Sequence, residues 1–210
     1  MISLSEILHT IAQALLIPCL IILIVLMAGA VWQIGDIVVE YIAERRKHKC
    51  EVPQLLRDVH TAGADGLADL IENSGLLRRQ KKALLELAES RNLPKDTLTA
   101  LAERLLATEE ARNARTTSVT DMIAKLGPMF GLLGTLIPLG PGIVALGQGD
   151  TVTLSESMNV AFDTTIAGVI SAAVASVISH IRKRWYNDDM VSLETLMEAV
   201  LEEVTADVEG

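Results

Sequence analysis

The chain alternates between long stretches without charged residues and stretches that carry the pattern of amphipathic helices. No charge occurs between Glu6 and Asp36, and uncharged windows follow from Leu126 to Gly149 and from Thr164 to Ile181. At about 1.5 Å per residue, a helix over each window covers roughly 27 Å or more, which is enough to cross a bilayer. The pattern therefore predicts three transmembrane helices, within residues 1–35, 126–147 and 159–181.

Helical periodicity also runs through the charged stretches. Residues 36–125 are predicted to form a soluble helical region, with turn signals at Asn73-Ser74-Gly75 and Asn92-Leu93-Pro94. No helix breaker appears between Pro94 and Gly127-Pro128, so we expect one helix to continue nearly unbroken to the second span. Residues 182–210 are predicted to form an amphipathic C-terminal helix, which either packs on the other soluble helices or docks on another protein. The apolar stripes of these two helices comprise Leu98, Leu101, Ala102, Leu105 and Leu106, and Leu193, Leu196, Met197, Val200, Leu201 and Val204.

The distribution of basic residues indicates the orientation of the spans. Fifteen of the 18 lie between Arg45 and Lys125, and the other three, residues 182–184, directly follow the third span. Because insertion retains Lys and Arg on the cytoplasmic side, we expect an outer N-terminus, a cytoplasmic region over 36–125, an outer loop over 148–158 and a cytoplasmic C-terminus. A signal peptide cleaved after Ala28-Gly29-Ala30 is the alternative for the first span, but such a peptide begins with basic residues.

Composition supports a membrane protein. Half of the 210 residues are hydrophobic, only 3% are aromatic, and the mean hydropathy is +0.38. The formal net charge of −9 argues against nucleic acid as a partner, because phosphate binding requires a concentrated excess of Lys and Arg. The two cysteines, Cys19 and Cys50, offer no disulfide framework, and we expect two unpaired thiols.

No arrangement of residues indicates an enzyme. The four histidines, His9, His48, His60 and His180, are scattered over different predicted compartments, which gives a metal site little support. The chain also has no phosphate-binding glycine loop that ends in Lys-Ser or Lys-Thr. We therefore expect no catalytic activity, metal or cofactor, and a membrane enzyme that uses Asp163 is the enzymatic alternative.

The second span is rich in glycine and proline. Seven of the 14 glycines and three of the six prolines lie between Gly127 and Gly149. Small residues allow helices to approach closely in membranes, and backbone groups freed at prolines must find partners on neighbouring helices. Thr135 is the only hydroxyl in the run from Gly127 to Pro138, and a threonine standing alone there would bond to a carbonyl of its own helix.

The third span has a small-and-hydroxyl face and a bulky face. The first face comprises Thr164, Thr165, Gly168, Ala172, Ala175, Ser176 and Ser179. It suits either close helix packing or the lining of a narrow polar path. Asp163 is the one charged side chain near a span interior, and it is either an interfacial helix cap or a protonatable group. The residues predicted to pack the second and third spans are Gly127, Gly131, Gly134, Gly168 and Ala172.

These two spans resemble the MotA/TolQ/ExbB proton-channel family. The resemblance rests on Gly131-Leu132-Leu133-Gly134-Thr135 in the second span and on Ala161-Phe162-Asp163-Thr164-Thr165-Ile166-Ala167-Gly168 in the third. The order and separation of the two motifs match as well. Three spans with a large insertion between the first two are similar to the TolQ and ExbB branch rather than to the four-span MotA branch.

The resemblance implies a homo-oligomeric ring, typically a pentamer, in the inner (cytoplasmic) membrane. The ring surrounds single-span partners that resemble TolR, ExbD or MotB, whose helix carries an aspartate that takes up and releases protons. The family's threonines that face this aspartate fall on Thr135 and Thr165. A glutamate found early in the third span of TolQ and ExbB falls on Val160, and Asp163 is its candidate substitute.

The predicted function is that of a stator-like proton-channel subunit, which uses the proton gradient to power a partner protein or a transport process. The alternative is a non-conducting membrane scaffold that packs helices through its glycine-rich span. A proton-flux assay on the complex reconstituted with its partner separates the two hypotheses.

Overall fold

The computed structural model describes residues 4–42 and 52–209, and the regular elements in these ranges are all helices. In chain order they are α1 (Leu4–Ala14), α2 (Leu16–Glu40), α3 (Val52–Asn73), α4 (Arg78–Glu89), α5 (Lys95–Gly147) and α6 (Thr151–Glu209). Stretches long and apolar enough to cross a membrane lie within Glu6–Glu40, Lys95–Gly147 and Thr151–Ala206. The prediction of a helical protein with three candidate spans is confirmed. The basic cluster Arg45-Arg46-Lys47 and Cys50 lie outside the described residues.

The chain divides into two compact units, of which the first comprises Met1–Ile37 and Thr117–Ile181. Its buried apolar core comprises Leu26, Ala30, Ile123 and Ala175. Helices α2, α5 and α6 therefore share one interior. The first two helices of the chain run antiparallel to α5, because contacts pair Gln13 with Ile137, Cys19 with Phe130 and Gly29 with Ile123.

Helix α5 continues through three prolines, Pro128, Pro138 and Pro141. Proline has no N–H group, so the carbonyl four residues before it loses its partner within the helix. For Pro141 this carbonyl belongs to Ile137, and Nε2 of Gln13 donates a hydrogen bond to it at 3.4 Å. The neighbouring helix thus supplies a bond that the proline removes, as the backbone requires where water is excluded.

The second unit, Val38–Thr116 with Arg182–Gly210, is built around a larger apolar core. Its most deeply buried side chains are Val59, Leu67, Ile71, Leu84, Leu87, Leu98, Leu193, Leu196, Met197, Val200 and Val204. The apolar stripes predicted for the start of α5 and for the C-terminal segment both lie in this core. The C-terminal segment therefore packs on the other helices of its unit, the first of the two roles that its pattern allowed.

A buried ion pair joins the end of α2 to α6 within this second unit. Nε of Arg182 donates to Oε2 of Glu40 at 3.1 Å, and the two side chains are 3% and 16% exposed. Burial, together with the negative charge of Glu40, raises the pKa of Tyr186 to about 12. Beside this pair, the rings of Tyr41 and Trp185 stack with their centroids 6.1 Å apart.

The connection between α5 and α6 is shorter than the sequence predicted. Only residues 148–150 separate the helices, whereas an outer loop over 148–158 was expected. Gly149 makes the turn at φ 76°, a conformation that glycine adopts without strain. Asp150 then starts α6, because its carboxylate accepts hydrogen bonds from the N–H groups of Val152 and Thr153. The Thr153 hydroxyl and N–H, which both donate to Asp150, lower the pKa of that carboxyl.

Helix α6 joins two segments that the sequence pattern had assigned separately. It is continuous from Thr151 to Glu209, so the predicted span over 159–181 and the predicted C-terminal helix over 182–210 are parts of one helix. The reason is chemical: no glycine or proline occurs between Gly168 and Gly210, and nothing in that stretch ends a helix.

Candidate functional site: the α5–α6 helix pair

Helices α5 and α6 of the first unit pack as an antiparallel hairpin with one constant register. Contacts join Gly127 to Ala172, Gly131 to Gly168, Gly134 to Thr164 and Gly142 to Ser157. Each step forward along α5 is matched by an equal step backward along α6, to within one residue. The small residues predicted to pack the second and third spans thus lie opposite one another.

The hairpin is so close-packed that side chains would not fit at its centre. A Cβ atom added to Gly168 would lie 2.6 Å from the carbonyl oxygen of Gly127 and 2.8 Å from Cα of Gly131. A Cβ atom added to Gly134 would lie 2.6 Å from Cβ of Thr164. Real Cβ atoms essentially never approach other atoms this closely. Glycine is therefore required at these positions by the approach of the neighbouring helix.

Thr135 and Thr165 lie at the same depth on the same side of this hairpin. Gly134 faces Thr164 across the interface, and each of the two threonines is one residue further along its own helix. Because the helices are antiparallel, a step of one residue rotates both side chains toward the same edge of the interface. Thr165 is exposed and Thr135 is partly exposed, so both border an open surface of the hairpin. We call this surface the threonine edge.

The hydroxyls of the threonine edge donate their hydrogen bonds within their own helices. Oγ1 of Thr135 donates to the carbonyl of Leu132 at 2.7 Å, and Oγ1 of Thr165 donates to the carbonyl of Ala161 at 2.9 Å. A hydroxyl has one proton but two lone pairs, so each oxygen keeps its capacity to accept. A protonated carboxylic acid at this edge would gain hydrogen bonds that an ionised carboxylate would not.

Asp163 lies elsewhere on α6. It is exposed and is two residues from Thr165, which turns it roughly 160° away from that side chain. It also lies twelve residues into α6, so it is not a helix cap, and this interpretation of Asp163 is wrong. Asp150 performs that role because α6 begins earlier than the uncharged window indicated.

A polar layer lies at the end of the hairpin opposite to Gly149, and the sequence analysis missed it. The hydroxyl of Ser179 donates to Asp121 across the α5–α6 interface. One residue away, Thr120 is fully buried, and Gln33 of α2 is 6% exposed. Oγ1 of Thr120 and Oε1 of Gln33 have no hydrogen-bond partner among the described residues. Asp121 escaped notice because it precedes the uncharged window, and only Ser179, on the hydroxyl face of α6, signalled a polar partner.

The described residues show no group that could hold a metal ion. Within residues 4–42 and 52–209, no group of three or more His, Cys, Asp or Glu residues could hold a metal ion. In the second unit, Nδ1 of His60 lies 3.5 Å from a carboxylate oxygen of Glu203. In the first unit, the buried thiol of Cys19 donates a hydrogen bond to the carbonyl of Phe130 at 3.3 Å and so links α2 to α5.

In a comparison with known families, residues 71–195 match the MotA/TolQ/ExbB proton channel family. The matched range is more than half of the chain and contains all of α5, the turn and every α5–α6 contact described above. A search of curated proteins finds no match. Proteins of this family work with partner proteins in membrane complexes. The helix pair with its threonine edge thus lies in the matched region, and the chain belongs to the MotA/TolQ/ExbB proton channel family.

Proposed function

We propose that this protein is the stator-like, proton-conducting subunit of an ion-driven complex in the inner membrane. Copies of the chain form a ring, a pentamer as in the TolQ and ExbB branch, around single-span partners that resemble TolR, ExbD or MotB. The N-terminus lies outside, and residues 36–125 and the end of α6 lie in the cytoplasm, where the basic residues concentrate. The role is transport rather than enzymatic catalysis, and the gradient supplies the energy.

The observation that carries this proposal is the threonine edge. Two hydroxyls at one depth border an open surface of the hairpin, and both have spare acceptor capacity. An ionised carboxylate is expensive at membrane depth, whereas a protonated one is not. An edge that accepts hydrogen bonds therefore favours the protonated form of a partner aspartate over the charged form.

This preference suggests a mechanism. A proton entering from outside neutralises the partner aspartate, and the resulting carboxylic acid donates to Thr135 or Thr165 as it passes between subunits. Release of the proton on the cytoplasmic side restores the charged form of the aspartate, which then leaves the threonine edge. Repetition around the ring moves the partner relative to the subunits. Asp163 has no step in this path, because it projects away from the edge.

The test is the replacement of Thr135 or Thr165 by valine, which keeps the shape and removes the hydroxyl. Each variant should assemble normally with its partner, but its proton flux in reconstituted vesicles should fall by roughly five- to thirtyfold, since one hydrogen bond to the acid contributes roughly 1–2 kcal/mol. Thr135→Ser and Thr165→Ser should retain flux, because serine keeps the oxygen.

Thr151→Val is the matched control, because Thr151 is an exposed threonine in the first turn of α6, well away from the edge. Full flux in both Thr135→Val and Thr165→Val would contradict the proposal. A complex that assembles but conducts no protons even with the natural sequence would favour the scaffold hypothesis instead.

A further inference from the structure

The polar layer joins α2, α5 and α6, the helices that share the interior of the first unit. Its members are Gln33 of α2, Thr120 and Asp121 of α5, and Ser179 of α6. Gly29 of α2 contacts Ile123 of α5, and one turn beyond this contact the same two helices carry Gln33 and Thr120. Because α2 and α5 run antiparallel, Gln33 and Thr120 lie at one depth on facing helices.

Two buried oxygens of this layer have no hydrogen-bond partner among the described residues. They are Oγ1 of Thr120 and Oε1 of Gln33, whose side chains are 0% and 6% exposed. A helical threonine commonly donates to a carbonyl of its own helix, as Thr135, Thr164 and Thr165 do in this chain. Thr120 does not, although it is fully buried. Buried oxygens on two facing helices form a polar site that suits a water molecule, which needs two to four such partners.

The pair formed by Asp121 and Ser179 lies on the same side of the hairpin as the threonine edge. Asp121 is 14 residues before Thr135 on α5, and Ser179 is 14 residues after Thr165 on α6. Fourteen residues span about 21 Å and nearly four turns, so each side chain lies within about 40° of the threonine on its own helix. The exposed hydroxyl of Ser176 lies between the two pairs, on the same face of α6. The hydrogen bond from Ser179 to Asp121 thus continues the register of the hairpin.

Asp121 is the carboxylate of the hairpin at the end away from the turn. The other acidic residues in the range 117–181 are Asp150, Glu156 and Asp163, and all three lie at the turn or near it. In the proposed orientation the turn lies outside, and Asp121 lies toward the cytoplasm. A carboxylate both accepts and releases protons. A proton that leaves the threonine edge toward the cytoplasm therefore has Asp121 ahead of it on the same side of the hairpin.

We propose that the polar layer is the site through which protons leave the subunit toward the cytoplasm, an inference that rests on the proposed function. A proton released by the partner aspartate reaches Asp121 through water along the hairpin, and an O–H bond forms on the Asp121 carboxylate. Thr120 and Gln33 hold the water that accepts this proton next. That transfer breaks the O–H bond and restores the carboxylate, to which the Ser179 hydroxyl donates. The proton thus leaves between α2, α5 and α6 of one subunit.

A layer that only fixes the register of the helices is the competing explanation. Such a layer would pair its own members, because unpaired polar groups in a helix interior are costly. Here Ser179 and Asp121 are paired, whereas the buried oxygens of Thr120 and Gln33 are not paired with any described residue. The unpaired oxygens favour a layer that holds water.

Proton flux in vesicles that contain the complex with its partner tests the carboxylate. Asp121→Asn keeps an oxygen that accepts from Ser179 but cannot take up a proton. Its flux should fall at least about a hundredfold, the low end of what a positioned proton-transfer group contributes. Asp121→Glu keeps the carboxylate and should retain flux. Asp163→Asn is the matched control, because Asp163 is an exposed acid that points away from the threonine edge, and natural flux in Asp121→Asn would overturn the proposal.

Chemical rescue separates proton transfer from a structural role. Asp121→Ala leaves space beside Ser179 for a small carboxylate, so formate added on the cytoplasmic side should restore flux. Thr135→Val with the same formate is the control for leakage of formic acid through the lipid, and its flux should not recover. Recovery of Asp121→Ala that does not exceed that of Thr135→Val would contradict the proposal.

The double variant Thr120→Val with Gln33→Leu tests the water-binding oxygens. It replaces both polar partners with apolar groups of similar shape, so unfolding in SDS should be unchanged or should require more SDS. It also removes two hydrogen bonds to the water, so flux should fall at least about fivefold. Ser118→Ala is the matched control, because Ser118 is an exposed hydroxyl of α5 at nearly the same depth. Natural flux in a stably folded double variant would refute the role of these two oxygens.

These outcomes are separable from those of the proposed function. Flux that falls in Thr135→Val but not in Asp121→Asn would refute the release site and leave the channel standing. Flux that falls in Asp121→Asn but not in Thr135→Val or Thr165→Val would refute the role of the threonine edge and leave the release site standing. Absence of proton flux with the natural sequence would refute both.

Discussion

Replacement of Gly168 by alanine is the sharpest test of the helix hairpin. The added Cβ atom would meet the carbonyl oxygen of Gly127 at 2.6 Å and Cα of Gly131 at 2.8 Å. Ordinary contacts of a Cβ atom begin at 3.4 Å, so α5 and α6 would have to separate locally by roughly 0.6–0.8 Å. Both obstructing atoms belong to the backbone, and no side-chain rotation relieves them.

Two opposing effects determine how much Gly168→Ala changes the free energy of unfolding. Overpacking against a rigid neighbour costs up to about 3 kcal/mol, and the gain in helix propensity on replacing glycine with alanine returns at most about 1 kcal/mol. We expect Gly168→Ala to lower the free energy of unfolding by about 2 kcal/mol. Gly140→Ala in the same hairpin is the matched control, because no atom lies within 4 Å of its added Cβ. That variant should be neutral or slightly stabilised.

The assay is unfolding of the detergent-solubilised protein in increasing SDS, followed by far-ultraviolet circular dichroism. A double-mutant cycle adds a second check at Gly134, whose added Cβ meets the side chain of Thr164. Gly134→Ala should be destabilising alone and should be partly rescued by Thr164→Gly, which removes the obstructing atoms. If Gly168→Ala were as stable as Gly140→Ala, the close approach of the two helices would be refuted.

Two further predictions concern charged groups. Arg182→Met should lower the free energy of unfolding by about 3 kcal/mol, because it leaves the Glu40 carboxylate without its buried guanidinium partner. Adding Glu40→Gln should recover part of this loss, and equilibrium unfolding measures both changes. The pKa of Asp150 is lowered in the folded protein below its ordinary value of 3.8, so its contribution to stability is present above that pH and is lost as the pH falls through the lowered value. Asp150→Asn keeps a capping side chain but cannot titrate. Between about pH 6 and pH 2, the melting temperature of this variant should fall less than that of the natural protein. Equal falls would show that the ionised Asp150 carboxylate does not stabilise the fold.

The spans and the core stripes could be predicted from the sequence because each depends on a local pattern. A long apolar stretch without charges is more stable in a bilayer than in water. Leu98 and Ala102 lie on the same face of a helix because of their spacing alone, and this face is buried. Thr135 and Thr165 were identified by resemblance to the family. Their position on one edge of the hairpin depends on how α5 and α6 pack against each other, which the pattern of either helix alone does not determine. The continuity of α5 and α6 was partly visible, since residues 169–209 contain no breaker.

The features that could not be predicted depend on contacts between helices distant in the chain. The hydrogen bond from Gln13 to the carbonyl freed by Pro141 joins residues 124 positions apart in sequence. The polar layer of Thr120, Asp121 and Ser179 likewise requires the register of the hairpin before its members can be paired. The start of α6 at Thr151 was missed because the polar residues before the uncharged window were interpreted as a loop rather than as the first turns of a helix capped by Asp150.

The constant register of the hairpin also constrains how related chains can differ in length. A one-residue insertion between Gly127 and Gly131 would rotate every later position of α5 by about 100° and turn Gly131 and Gly134 away from Gly168 and Thr164. No compensating insertion in α6 restores the contacts unless it falls at the matching depth. Length variation should therefore concentrate in residues 148–150 and in the segments outside the hairpin, and an alignment of homologues with unmatched gaps inside it would indicate a different helix packing.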